Sequence, residues 1–286
     1  MPYHAYSDRF VGMVMSRDDA AIVLAAENLV VEYDLKRGKT LRAVDEVSFE
    51  LRAGEVLGIV GESGSGKSTL GRVVAGFLQP TAGRIMFAAR DGGLHSRAQH
   101  RLRGYRDIQM IFQESAAALD PRFPVWKLIG EALDPAILNT HRGKEKVEFV
   151  KSEVRVHLER VGLPGEIYLD KRASELSGGE KQRVAIARAL SASPVALVCD
   201  EAVSALDVSI RAVVLNLLQR LSIENQTALF FITHDISVVA HLADQVAVMS
   251  NGRFVEFGTP RQVIDDPKDD YTRRLIAAVP RLERTG

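Results

Sequence analysis

The 286-residue chain has one cysteine, one tryptophan and no excess of either charge, 37 Lys and Arg being offset by 37 Asp and Glu. A lone cysteine, Cys199, excludes an internal disulfide framework and fits a reducing compartment. Beside Val198 it reads as a small buried hydrophobe rather than a reactive thiol. Balanced charge excludes an overall field that would hold nucleic acid or anionic lipid, so any partner must be recognised locally. The longest apolar runs, Ala20–Ala26 and Ser191–Cys199, fall far short of the roughly 20 residues that cross a bilayer, and no span is expected. Residues 1–19 contain acidic side chains and no basic segment leading into a long apolar stretch, unlike a secretory signal.

What is present is 46% apolar content, enough for one large α/β core or a core with a smaller inserted unit. Residues 1–21 show no sustained period and form a tail. The alternation in ENLVVEY and VDEVSFEL, separated by the turn-like LKRGKT, predicts antiparallel strands. Val56–Val60 is then an apolar strand, followed by a glycine loop and a helix over Ser68–Leu78. Arg90–Arg106 is polar and basic and reads as a solvated insertion; RDIQMIFQ returns to a strand ending at Gln113. From Glu114 to Glu175 the pattern is helical, broken at Pro121, Pro124, Pro135, Gly143 and Pro164, which predicts a helical insertion over about 114–190. Trp126 is its exposed aromatic candidate. Val195–Cys199 and TALFFITHD are buried strands, and between them a helix carries Ile210, Val213, Val214, Leu217, Leu218 and Leu221 on one face. Strand and helix alternation predicts an α/β fold with a mainly parallel sheet. A hairpin turning at Asn251-Gly252 and a helical tail over 259–286 complete the chain.

Four groups of residues carry chemistry. Gly61, Glu62, Ser63, Gly64, Ser65, Gly66, Lys67, Ser68 and Thr69 satisfy a phosphate-loop spacing between a strand and a helix. The glycines let backbone wrap phosphate, Lys67 supplies a cation for the β and γ oxygens, Ser68 a ligand for Mg²⁺, and Thr69 a hydroxyl near the α-phosphate. Asp200 and Glu201 end an apolar strand, where open α/β sheets bind ligands; Asp200 is placed to hold Mg²⁺ through water and Glu201 to polarise an attacking water. Taken alone, such a pair is commonly a solvated strand end. His234, after FFIT, is placed for the γ-phosphate or that water, and Gln113 for Mg²⁺ or the water, although a single His or Gln at a strand end is usually a structural hydrogen-bonder. LSGGEKQRVAIARAL sets the N–H groups of Ser177, Gly178 and Gly179, a hydroxyl and cations at a helix start, a natural phosphate site.

The ordered set of phosphate loop, Gln113, LSGGE, Asp200-Glu201, SALD and His234 resembles the ABC ATPases over residues 27–258. The resemblance implies an ABC-type core over 22–258 with an N-terminal antiparallel β layer and an inserted helical subdomain. It implies ATP and Mg²⁺ as ligands, and a head-to-tail dimer with an identical or different second subunit. In that dimer Ser177, Gly178 and Gly179 of one copy cap the ATP held by Lys67 of another; Asp207 communicates across the interface, and Tyr33 stacks on adenine. An aromatic in a strand such as Tyr33 is otherwise core packing. GESGSGKSTL, RDIQMIFQES, EAVSALDVS, THDISVVAHLAD and YTRRLIAAVP look like the peptide and nickel importer subfamily. That resemblance implies an ATP-hydrolysing importer subunit at the cytoplasmic face of the membrane. Its expected partners are permease subunits, near AAALDPRFPVWKLIGEAL, and indirectly an extracytoplasmic binding protein, with no nucleic acid. Ala202 replaces the proline common after the Asp-Glu pair, and the loop before SALD is expected to lose rigidity. The chain also ends soon after YTRRLIAAVPRL without a Cys-containing extension, which leans toward a shorter paralogue. Competing readings are a soluble accessory ATPase of a phosphonate-cleaving complex, a nucleic-acid or ribosome clamp, and a nucleotide-binding regulator without turnover. Against the clamp stand the lack of a second ATPase repeat, a long coiled coil and a basic arm.

Overall fold

The computed structural model describes residues 20–36, 39–88, 94–96, 107–113, 118–204 and 206–278. The expected N-terminal tail, the centre of LKRGKT, most of Arg90–Arg106 and the last residues lie outside them.

Strands β1 (Ile22–Leu35) and β2 (Lys39–Arg52) pair antiparallel, and with β4 (Ala82–Ala88) and β5 (Leu94–Ser96) make a sheet in the order β2-β1-β4-β5. The strand β5 falls inside the stretch read as a solvated insertion: Leu94, His95 and Ser96 pair with β4 as an edge strand. The second sheet runs β10-β9-β3-β8-β7-β6, from β3 (Val56–Val60), β6 (Ile108–Ile111), β7 (Ala196–Asp200), β8 (Ala228–Thr233), β9 (Gln245–Ser250) and β10 (Arg253–Gly258). All its pairings are parallel except β9 with β10, which turn at Asn251 and Gly252, both at positive φ (48° and 82°) as an Asn-Gly hairpin requires.

The helices are α1 (Lys67–Val74), α2 (Val125–Gly130), α3 (Pro135–Leu138), α4 (Gly143–Arg160), α5 (Gly165–Tyr168), α6 (Gly178–Ser191), α7 (Val208–Asn225), α8 (Ile236–Leu242), α9 (Pro260–Asp265) and α10 (Asp270–Ala277). Helix α1 stops four residues before the predicted Leu78, because Gly76 takes a left-handed φ of 81° and ends it.

Both faces of the parallel sheet are covered, as continuous apolar strands demand. Val198, Phe230 and Ile232 face α1 and the antiparallel sheet, where Phe49 and Phe230 pack with ring centroids 5.3 Å apart. Leu197, Cys199, Leu229 and Phe231, one residue out of phase, face a second cluster with α2, α4, α6 and α7. Trp126 is not the exposed aromatic expected from sequence: it packs half-buried against this cluster, its backbone N–H donating to the Leu169 carbonyl at 2.9 Å. On α7, Val214, Leu217, Leu218 and Leu221 are buried but Val213 is 55% exposed. Leu215 is buried as well, so the buried stripe is turned away from Val213 and toward Leu215 relative to the expected pattern. Cys199 is fully buried, and burial pushes its thiol up to about 12, so it stays protonated and inert.

Candidate functional site

Parallel register assembles the site. Val60 pairs with Thr233 and Asp200 with Ile232. The residues that follow β3, β7 and β8, namely Gly61, Glu201 and His234, therefore emerge side by side at the carboxyl end of the sheet. Gln113 leaves β6 at the same end, two residues past the Ile111 and Cys199 pair. The strands end one and two residues short of His234 and Gln113, so both side chains stand on loops.

The loop from Gly61 to Gly66 is wedged between the two sheets. A Cβ on Gly61 (φ 156°) would fall 2.2 Å from the Met249 carbonyl oxygen, and one on Gly66 (φ 108°) 2.2 Å from that of Ala43. No side chain fits at either place. Ser63 and Gly64 lie at the exposed crest, with open space around Gly64. Ser65 is buried, and its carbonyl accepts Gly252 N at 2.9 Å, which ties the hairpin turn to the loop.

Lys67, the first residue of α1, is 5% exposed, and its ammonium donates to the carbonyls of Gly61 and Glu62 at 2.8 and 2.7 Å and to Ser65 Oγ at 3.3 Å. Burial lowers its pKa, opposed by the negative charges of Glu201, Asp200 and Glu62. Next to it Ser68 Oγ donates to Asp200 Oδ1 at 3.0 Å. Burial raises the Asp200 pKa, and the Ser68 hydrogen bond offsets part of that rise. Thr69 follows in the first turn of α1, half-buried.

Glu201 sits at φ 48°, the left-handed region that is costly for a residue carrying a Cβ, and its backbone is fastened on both sides. Its N–H donates to the Ile232 carbonyl at 3.0 Å, extending the β7 and β8 ladder, while its carbonyl accepts Ser204 N and Oγ at 3.1 and 2.9 Å. The carboxylate is thereby aimed at His234, with Oε1 3.3 Å from Nδ1.

Ser177, Gly178 and Gly179 do not join this group. They begin α6, which packs on α2, α4 and β6 rather than on α1. Ser177 caps the helix: its Oγ accepts Glu180 N at 3.3 Å, and Glu180 Oε2 accepts Ser177 N at 2.7 Å. A Cβ on Gly178 would meet open space, whereas one on Gly179 would press on Ile210 of α7 at 3.0 Å. Asp207, the N-cap of that helix, accepts Ile210 N at 3.0 Å, so the SALD segment and the LSGGE helix start are neighbours. Tyr33 lies on β1 opposite Leu41, 36% exposed, on the antiparallel sheet whose β2 strand touches the loop through Ala43.

Three residues to which the sequence reading gave no role complete the local architecture. Tyr168 donates its hydroxyl to Glu180 Oε1 at 2.5 Å; that hydrogen bond, followed by those from Ser177, holds the Glu180 carboxyl down at about 2. The Ser-x-x-Glu spacing gives away the capping box, but nothing in sequence ties Tyr168 to it. Arg211 donates to the carbonyls of Ser204 and Leu206 at 3.5 and 3.1 Å and lies 3.7 Å from Asp235, so the loop following Ala202 is tethered by a guanidinium. Tyr271, from the C-terminal helix, accepts Glu62 N at 2.8 Å.

The profile of the ABC transporter family matches residues 44–204. The chain is 38% identical over 271 residues to the oligopeptide transport ATP-binding protein OppF of Lactococcus lactis, covering 92% of this chain and 82% of that one. It is 41% identical over 276 residues to the dipeptide transport ATP-binding protein DppF of Escherichia coli, covering 94% of this chain and 80% of that one. The dimeric structure of MJ0796, a bacterial ABC transporter cassette, superposes with a TM-score of 0.69 at 26% identity, over 83% of this chain and 99% of that one. With a glycine-rich loop, an acidic pair and a histidine at the carboxyl end of the parallel sheet and a capped LSGGE helix apart from them, the chain belongs to the ABC transporter family, as one of its ATP-hydrolysing subunits.

Proposed function

We propose that this subunit powers a membrane importer of peptides, from the cytoplasmic face, by closing and reopening a head-to-tail dimer around ATP. The separation of the two half-sites carries the reading. Lys67, Asp200, Glu201 and His234 gather at the carboxyl end of the parallel sheet, while Ser177 to Gly179 start a helix seated elsewhere. A second copy or a related subunit then brings its own LSGGE segment over the nucleotide, with Asp207 at the contact. Relatives named for oligopeptide and dipeptide transport favour peptides as cargo.

In this reading the loop N–H groups of residues 63–69 and the Lys67 ammonium bind the phosphates, and Tyr33 stacks on the base. Glu62 lends its backbone to the loop. Lys67 exchanges its carbonyl partners for phosphate oxygens. Glu201 orients a water in line with the γ-phosphorus, and the Nδ1 contact with Glu201 leaves Nε2 of His234 for a γ-oxygen. The oxygen-only donors Ser68 Oγ, Asp200 and the Gln113 amide suit Mg²⁺ rather than a thiolate-preferring metal. Mg²⁺, when bound, neutralises charge on the β and γ oxygens. Binding energy becomes a population shift between open and closed dimers.

Among the described residues no helix is long and apolar enough to cross a membrane. Phe77 and Phe112, 65% and 40% exposed with ring centroids 5.5 Å apart, form an aromatic pair beside Gln113 and suit a docking permease. Affinity purification from membranes tests the assignment. Recovery of a permease, with peptide uptake lost on Lys67→Ala, supports it; recovery of a soluble enzyme core instead overturns it.

A further inference from the structure

The C-terminal helix α10 lies outside the nucleotide machinery, yet its first turn reaches the phosphate loop. Tyr271 Oη accepts the hydrogen bond from Glu62 N at 2.8 Å, while the Glu62 carbonyl accepts Lys67 Nζ at 2.7 Å. Residue 62 is thus held on one side by the tail and on the other by the loop's own cation.

Tyr271 is itself anchored. Asp269 caps α10 by accepting Tyr271 N at 2.8 Å, and the two oxygens of Glu256 on β10 accept Lys268 N at 2.8 Å and Asp269 N at 3.1 Å. Tyr271, Leu275 and Ile276 pack against a cluster that contains Val60, Ile236 and Val248. Val60 is the residue before Gly61, and Ile236 stands two residues past His234. One apolar base therefore supports the loop, the segment after His234 and the tail helix.

We infer that Tyr271 is a positioning residue that braces the phosphate loop, so that the C-terminal helix sets how strongly the subunit holds nucleotide. The inference rests on the phosphate-binding reading of Gly61–Thr69. A cradle of N–H groups binds phosphate well only if the groups converge beforehand, since ordering them on binding costs conformational entropy. Glu62 is exposed, and without the phenol oxygen its N–H turns to water and the start of the loop gains freedom. The ring's packing is separable from the hydroxyl's role, because phenylalanine keeps the one and deletes the other.

The experiment compares the full chain with Tyr271→Phe, following ATP affinity by calorimetry, steady-state ATPase kinetics, melting temperature and hydrogen exchange of the Glu62 amide. Losing one net hydrogen bond from a preorganised loop predicts a roughly 2- to 12-fold rise in Kd and KM for ATP. With the ring retained, kcat stays within about 2-fold and Tm within ~2 °C. Exchange of the Glu62 amide accelerates. Unchanged affinity together with unchanged exchange at Glu62 overturns the inference, and so does a fall in Tm without a change in KM, which is what a purely structural tyrosine would give. Failure of the wild type to bind ATP defeats the phosphate-loop reading instead, and in that case the Glu62 exchange rate alone decides whether the hydroxyl braces the loop.

Discussion

Glu201 and His234 approach within 3.3 Å, Oε1 to Nδ1, from the ends of two neighbouring parallel strands. Glu201 adopts a left-handed φ of 48° just past the end of β7, and its carboxylate lies toward His234 across the carboxyl end of the sheet. Glu201→Gln keeps the volume and the neutral hydrogen bonds but removes the charge proposed to polarise the attacking water. Hydrolysis should fall by at least ~10²-fold, the usual contribution of a positioned general base. Affinity for ATP should hold within a few-fold, because Lys67 and the loop are untouched. Phosphate release under multiple turnover checks the first expectation and nucleotide titration the second; unchanged turnover removes Glu201 from the role.

In the proposed dimer Ser177 and Lys67 belong to different half-sites, and Ser177→Arg separates them. A bulky cation at the exposed N-cap of α6 leaves the subunit's own phosphate loop alone and obstructs the nucleotide of a partner. Monomer affinity for ATP should remain within about 2-fold while hydrolysis is lost, the pattern of an interaction made only in the assembled state. Equal losses in both measurements would sink the composite site.

The Glu180 carboxylate is a prediction about pH. Its pKa is lowered from 4.5 to about 2, first by the Tyr168 hydroxyl and then by the Ser177 backbone N–H. A depressed carboxyl pKa means that the cap's contribution is fully present above pH 4.5 and disappears as pH falls toward about 2. Thermal melts of the wild type and Glu180→Ala should therefore differ by a constant interval above pH 4.5 and converge below it. Tyr168→Phe should behave similarly with a smaller interval. Curves that stay parallel down to about pH 2 would show that the carboxylate does not carry the cap.

The sheet was legible because its strands are short, apolar and β-branched, and parallel strands buried on both faces leave that record. The phosphate loop was legible because glycine spacing is a backbone requirement, seen at Gly61 and Gly66 where carbonyls of Met249 and Ala43 exclude a side chain. Trp126 and Val213 were misplaced for a different reason. Whether an aromatic or a valine faces solvent depends on what packs across from it, here the segment at Leu169 for Trp126 and the burial of Leu215 in place of Val213 on α7. Two side chains that tie down loops beside the site had no sequence signal, because what each meets is decided by how the chain folds. Arg211 reaches the Ser204 and Leu206 carbonyls and approaches Asp235, and Tyr271 reaches Glu62 across 209 positions. The loop expected to loosen because Ala202 replaces proline is tethered by that arginine, a compensation visible only once the fold is closed.

His157 supplies the last prediction. It lies on the inner face of α4 beside Val154 and Leu158, 8% exposed, with no hydrogen-bond partner for Nδ1 among the described residues. Burial, and then the like charge of Arg160, push its pKa down from 6.5 to about 4. Between those values the unfolded chain binds a proton that the folded one refuses, so stability falls as pH drops from 6.5 to about 4. The full shift corresponds to about 3 kcal/mol at most. His157→Leu fills the site with an apolar side chain and cannot titrate, so urea unfolding between pH 7 and 4 should show a shallower loss of stability than in the wild type. The absolute stability at pH 7 is not the criterion, since leucine packs differently from imidazole; the slope is. Parallel slopes for the two proteins would mean that His157 gains its proton in the folded state as readily as in the unfolded one, and the buried neutral imidazole would have to be abandoned.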